Sequence, residues 1–197
     1  VVEPYANPFR TYPLVNDYVR FKKLVEEKNV DCYIVNTGDF MGKKVQPKDT
    51  IGILEAIVDA GPHRDIDVVT EQVRSRLSRT ITRRFCENGQ MRVVTLDAEV
   101  EKKILGALTK SDQGVYLALG PDVMQQIMAQ LGELRKKFQE LSQTPIVLTS
   151  QVIRIYLSRM IAQFYPDVYV LSFSEITSNV QIQAIGNISL QPKQAQT

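Results

Sequence analysis

The run Pro145-Ile146-Val147-Leu148-Thr149-Ser150, together with the segments just after it, sets the fold class. Its aliphatic centre reads as a short buried strand, opened by a proline and closed by two hydroxyl residues that suit a helix cap. Ile153, Leu157, Ile161 and Phe164 then recur at helical spacing, Tyr165-Pro166-Asp167 turns the chain, and Val168–Phe173 is again strand-like. Strand, helix, strand in that order predicts a parallel βαβ crossover, with Val180–Leu190 returning as an antiparallel neighbour. The carboxy-terminal half is therefore expected to be a small α/β layer.

Upstream of this unit the pattern is mostly helical. Val123, Ile127, Leu131, Leu134, Phe138 and Leu141 alternate three and four apart behind a first-turn Pro121. Asp97 stands where it can cap a helix carrying Val100, Ile104, Leu105 and Leu108, after a strand over Met91–Leu96. Val69, Val73, Leu77, Ile81 and Phe85 recur every fourth residue and predict one long helix. Before it, Lys48–Ala60 reads as a helix with Ile51, Leu54, Ile57 and Val58 as its buried stripe, stopped by Gly61-Pro62. The start of the chain gives an irregular arm to Pro13, a helix over Val15–Asn29, a strand over Val30–Asn36 and a glycine-bearing loop to Val45. The organisation expected is an α/β (mixed) protein: an arm and βα remnant over 1–46, a helical subdomain over 47–90, and an α/β subdomain with a short polar tail over 91–197.

Composition narrows the function classes. With 24 Lys plus Arg against 22 Asp plus Glu, the net charge of +2 gives no general basis for nucleic-acid binding. Cys32 and Cys86 stand alone, without CxxC spacing or a histidine cluster, which suits a reducing compartment and disfavours a metal site. No apolar run approaches the roughly 20 residues that span a bilayer, and no signal peptide precedes Val1, so the chain reads as a soluble fragment.

Candidate chemistry is sparse. Gly38-Asp39-Phe40-Met41-Gly42-Lys43 imitates a phosphate loop but is one residue short between its glycines and has Lys44 where Ser or Thr should bind magnesium. His63-Arg64-Asp65 imitates a kinase catalytic loop, yet Thr70 stands where the metal-binding Asn belongs. Asp97, Glu99 and Glu101 are accounted for by helix capping and the helix dipole. Ser150 and Ser172 lie in no GxSxG setting. No catalytic residue, metal site or cofactor is expected. Arg76, Arg79 and Arg83 share about one quadrant of their predicted helix, which makes either a solvated surface or a contact that pairs guanidinium groups with acidic residues of a neighbouring subunit.

Two family resemblances can be placed on these residues. Ile53-Leu54-Glu55-Ala56-Ile57, Thr70-Glu71-Gln72-Val73-Arg74 and Leu77-Ser78-Arg79 resemble the third, helical subdomain of the cytoplasmic region of the type III secretion export-gate family, SctV and its flagellar counterpart FlhA. Val94-Thr95-Leu96-Asp97, Pro145–Ser150, Ile153-Arg154, Phe164-Tyr165-Pro166, Val170-Leu171-Ser172, Glu175-Ile176 and Ile185-Gly186 are similar to its fourth. This resemblance, over about 51–190, implies a non-enzymatic, ring-forming homo-oligomer, usually a nonamer, at the cytoplasmic face of the bacterial inner membrane. It also implies export-apparatus components and chaperone–substrate complexes as partners, met through upstream parts that include the membrane segment. The stretch 12–60 resembles instead the carboxy-terminal lobe of ATP-type phosphoenolpyruvate carboxykinases, through Tyr33–Gly38, Gly42-Lys43-Lys44 and Lys48-Asp49-Thr50. That alternative implies nucleotide contacts from Lys44 and Thr50.

Overall fold

The computed structural model describes residues 19, 20, 22, 23, 26–28, 39, 40, 43–61, 65–111 and 114–190. The chain divides into two compact units, residues 1–45 and 46–197. In the first, residues 19, 20, 22, 23 and 26–28 are helical, with Lys22–Glu26 and Lys23–Glu27 ion pairs one turn apart. Strands β1 (Asp39–Phe40) and β2 (Lys43–Lys44) pair as a tight antiparallel ladder within the stretch read as loop. The strand expected over Val30–Asn36 lies outside the described residues.

The second unit is a four-stranded parallel sheet with helices on both faces. Its strands are β3 (Gln90–Leu96), β6 (Ile146–Thr149), β7 (Tyr169–Ser172) and β8 (Gln181–Ile188), in the order β7-β6-β3-β8. The predicted crossover is present: β6 runs through helix α6 (Gln151–Ala162) into β7, pairing Ile146 with Tyr169 through to Thr149 with Ser172. Helices α4 (Ala98–Gly106), α5 (Pro121–Glu140) and α6 build the main core with the sheet, around Val94, Ile127, Leu131, Phe138, Val147, Leu157 and Ile188. The helical stretch comprises α1 (Pro47–Ala60), α2 (Ile66–Arg76) and α3 (Ser78–Phe85), and α2 touches α6.

Strand β8 is parallel to β3, not antiparallel as the sequence suggested. After β7 the chain makes a short 3-10 turn at Phe173–Glu175 and is tethered to α3, where Thr177 N–H donates to Thr82 Oγ1 at 3.1 Å. It re-enters the sheet beside Gly89, at the end where β3 begins, so it must run the same way as β3. The register shifts between Val93 and Val94, leaving Ile185 as an extra residue on β8. Beside that bulge Leu134 of α5 fills the space where a Cβ on Gly186 would stand, which explains a glycine inside a strand.

Three further expectations are corrected. The helix through Val69 and Phe85 is broken at Leu77, whose ψ of 11° turns the axis between α2 and α3. Residues spaced strictly by four drift about 40° per step around a 3.6-residue helix, so five of them cannot face one surface unless the helix bends. In α1 the buried positions are Asp49, Ala56 and Ala60, whereas Ile51, Leu54, Ile57 and Val58 are 57%, 39%, 48% and 78% exposed. Small residues let α2 come close, with Arg76 Cβ only 3.8 Å from the Cβ position of Gly52, and backbone approach rather than side-chain bulk selects the buried face. Finally, α4 stops at Gly106. Leu105 is half exposed, and Leu108 opens an antiparallel hairpin, β4 (Leu108–Ser111) with β5 (Gly114–Leu117), whose turn residue Gly114 sits at φ 117°.

Candidate functional site

In open α/β sheets the crevice beyond the carboxyl ends of the strands is where ligands usually bind. Here that end of β6 and β7 is covered by α2 and the 3-10 turn, and the join is a lattice of paired charges. Arg154, on the buried side of α6, donates from Nε to both carboxylate oxygens of Glu71 of α2, each at 2.8 Å, and Arg154 Nη2 also contacts Glu71 Oε1. Arg154 Nε lies 3.5 Å from Glu175 Oε1 as well. Glu175, wholly buried, accepts from Arg74 of α2 at 3.0 and 2.8 Å and from Ser172 Oγ, at the end of β7, at 3.0 Å. At the rim Arg159 of α6 donates to both oxygens of Asp67 at 2.7 and 2.6 Å, and this hydrogen bond raises the arginine's pKa further.

The charges balance: Asp67, Glu71 and Glu175 face Arg159, Arg154 and Arg74. An unpaired ion so deeply buried would be strongly unfavourable, and bidentate arginine–carboxylate geometry is what makes such a join tenable. Chemically the lattice holds two layers in one register; each carboxylate already has a guanidinium partner, which is the reverse of a poised acid or base. Beside it, burial first and then Asp67, Asp65 and Glu71 push the Tyr156 phenol above its ordinary pKa. Among the described residues no group of three or more His, Cys, Asp and Glu is placed to hold a metal ion.

The other acidic candidates are structural. Glu101 does not serve only its own helix: it accepts from Thr149 Oγ1 at 2.6 Å and Ser150 N–H at 2.9 Å, capping the start of α6 from α4. Ser150 is the N-cap residue but makes no side-chain cap bond. Asp97 occupies the N-cap of α4 while its carboxylate accepts from Asn187 Nδ2 of β8.

The arginine face divides. Arg76 is exposed but internally engaged, donating to Glu55 Oε2 at 3.1 Å and Asp59 Oδ2 at 2.5 Å of α1. Arg79 and Arg83, beyond the bend, are exposed and line a shallow hollow with Cys86, Gly89 and Ser178–Val180. Thr50 lies in α1, where its hydroxyl donates to Gln46 carbonyl at 3.5 Å; Lys44 is in β2. His63 lies outside the described residues. The lattice itself was not identified from sequence as a site. The available signal was Arg154 between Ile153 and Ile155 on an apolar helix, since a cation there requires a buried partner.

The FHIPEP family model matches residues 37–181. The flagellar biosynthesis protein FlhA of Helicobacter pylori (strain J99) is 32% identical over 202 residues, covering 96% of this chain and 28% of that protein. Among solved structures, the nonameric EPEC SctV-C aligns with a TM-score of 0.63 at 25% identity, over 85% of this chain and 46% of that one. The Chlamydia pneumoniae CdsV in its complex with CdsO aligns with a TM-score of 0.61 at 30% identity, over 90% and 48%. The chain spans 22–28% of the length of the curated relatives it matches. Because the family match begins at Thr37 and the FlhA alignment covers nearly the whole chain, the carboxykinase resemblance and the nucleotide contacts of Lys44 and Thr50 gain no support.

Proposed function

The chain belongs to the FHIPEP family, and on that premise we propose that it is a ring-forming scaffold element of a type III protein export gate, working without catalysis at the cytoplasmic face of the inner membrane. The observation that carries this reading is the match over 37–181 together with the likeness to the nonameric SctV-C. The geometry supports it, because the carboxylates gathered at the carboxyl ends of β6 and β7 are each paired with a guanidinium, which suits a structural join rather than acid–base chemistry. Residues 47–90 and 91–197 then serve as the helical and α/β subdomains of one assembling body; the FlhA relative is named for flagellar biosynthesis and the similar EscV domain for a type III secretion system, neither for a reaction.

Arg79 and Arg83 are the groups by which neighbouring subunits make contact, and Arg76 supports that face from within by fixing α1. Partners of the export apparatus, of which the CdsO complex is an example for CdsV, meet the assembled ring rather than a single chain. The test is sedimentation velocity of the chain with Arg79→Glu and Arg83→Glu together. Loss of self-association with an unchanged unfolding midpoint is expected; association unaltered by both reversals contradicts the interface.

A further inference from the structure

The outer edge of β8 is closed along one half and open along the other. Gln181 N–H donates to the Gly89 carbonyl at 2.9 Å. Residues of a parallel ladder alternate between facing the neighbour and facing away, so Gln181 and Gln183 turn their backbone groups to β3 while Ile182 and Ala184 turn theirs outward. Past the bulge the alternation resets: Asp97 N–H donates to the Ile188 carbonyl at 2.9 Å, and Ser189 faces out. There α5 supplies a substitute strand, with Gln130 Nε2 donating to the Ser189 carbonyl at 2.7 Å and Gln130 Oε1 accepting its N–H at 3.1 Å. Among the described residues nothing comparable engages the backbone of Ile182 or Ala184, and residues 181–184 are all exposed.

Open edges are normally blunted by charge, proline or brevity. Gln181-Ile182-Gln183-Ala184 carries neither charge nor proline. Its two faces differ. Ile182 and Ala184 continue the apolar row of Met91 and Val93, which are fully buried, while Gln181 and Gln183 pair with Gln90 and Arg92 on the polar face. Arg92, on that face, gives only its Nε to Gln183; it lines a hollow at the start of β3 with Arg84 and with Glu87, which accepts from Gln143 Nε2 at 2.9 Å, so neither guanidinium has a carboxylate partner among the described residues. A strand added outside β8 lies about 10 Å from β3, two strand spacings, within reach of a long acidic side chain.

We propose that this open half-edge docks an extended segment of a partner protein, which adds as a fifth strand, sets aliphatic side chains beside Ile182 and Ala184, and sets acidic side chains on the face of Arg92, toward the hollow that Arg84 also lines. Only an extended backbone satisfies outward N–H and C=O groups at alternate residues, and the two faces select an alternating aliphatic–acidic pattern. This docking does not depend on the ring contact, which uses other residues.

The experiment is fluorescence anisotropy of the full chain with labelled acetyl-Glu-Val-Glu-Val-Glu-Val-amide, and with the same peptide carrying Lys in place of Glu. The acidic peptide is expected to bind and the basic one to bind at least several-fold more weakly. Ala184→Pro removes an outward N–H that the fold does not use, and Ile182→Asp leaves every backbone group in place; each should weaken the acidic peptide about tenfold. Hydrogen exchange on the wild-type chain, which involves no folding risk, should show the Ile182 and Ala184 amides protected when peptide is present. Absence of binding, equal binding of both peptides, or binding without that protection overturns the proposal.

Discussion

Replacing Arg154 by Met keeps the length and much of the volume of the side chain but removes the only guanidinium that reaches Glu71 among the described residues. The structure sets the size of the effect. Glu71 is 10% exposed at its side chain and takes its carboxylate bonds from Arg154, so the variant leaves a buried, unpartnered charge. Glu175 loses only a 3.5 Å contact and keeps both bonds from Arg74. Removing one partner of a buried pair costs about 3–5 kcal/mol, and in a chain of 197 residues each kcal/mol moves the midpoint by about 2–4 °C, so Arg154→Met should lower it by about 6–20 °C. Adding Glu71→Met removes the stranded charge and leaves Arg74 and Glu175 as a balanced pair. The double variant should recover most of the loss, giving a coupling energy above about 2 kcal/mol. Calorimetry and chemical denaturation of the four proteins measure it. A single variant within about 1 kcal/mol of wild type, or a double variant no more stable than the single, would refute the lattice as the join between the two layers.

Three other outcomes are expected from the packing. Gly186→Ala should destabilise by about 1–3 kcal/mol in denaturant melts because Leu134 occupies the space of the new methyl, and Leu134→Ala in the same chain should relieve part of that loss. Glu101→Ala should cost about 1 kcal/mol by uncapping α6, whereas Glu99→Ala, at an exposed position, should leave stability nearly unchanged. The raised pKa of Tyr156 means that the fold favours the neutral phenol, so its contribution is complete below the ordinary tyrosine range and is lost as pH climbs through the higher folded value. Ultraviolet titration should show a late-ionising phenol that Tyr156→Phe removes; an unchanged late phase would assign it to another tyrosine.

The crossover β6-α6-β7 and helix α5 were legible because apolar period and turn residues agree there; only the last member of each stripe, Phe164 and Leu141, falls past the helix end and is about half exposed. Where they failed, the cause lies in contacts that periodicity does not encode. The α1 stripe was misplaced because Gly52, Ala56 and Ala60 admit a neighbouring helix more closely than Ile51 or Val58 could. The direction of β8 depends on a tether from Thr82 to Thr177, distant in sequence. The lattice was hidden because its members read individually as surface charge: Glu71 and Arg74 lie on one helix, Arg154 on another, and only the fold shows them neutralised. The family resemblance nevertheless includes Glu71, Arg74, Arg154, Ser172 and Glu175 among its carrying residues, and the structure supplies a physical role for each.

Assembly is the central claim, and direct imaging of single particles tests it best, at a protein concentration where sedimentation shows association. Closed rings, with α3 and its Arg79 and Arg83 at the boundary between adjacent subunits, are the predicted result. Particles that stay monomeric throughout, or that join through the exposed face of α5 with α3 open to solvent, would contradict the account.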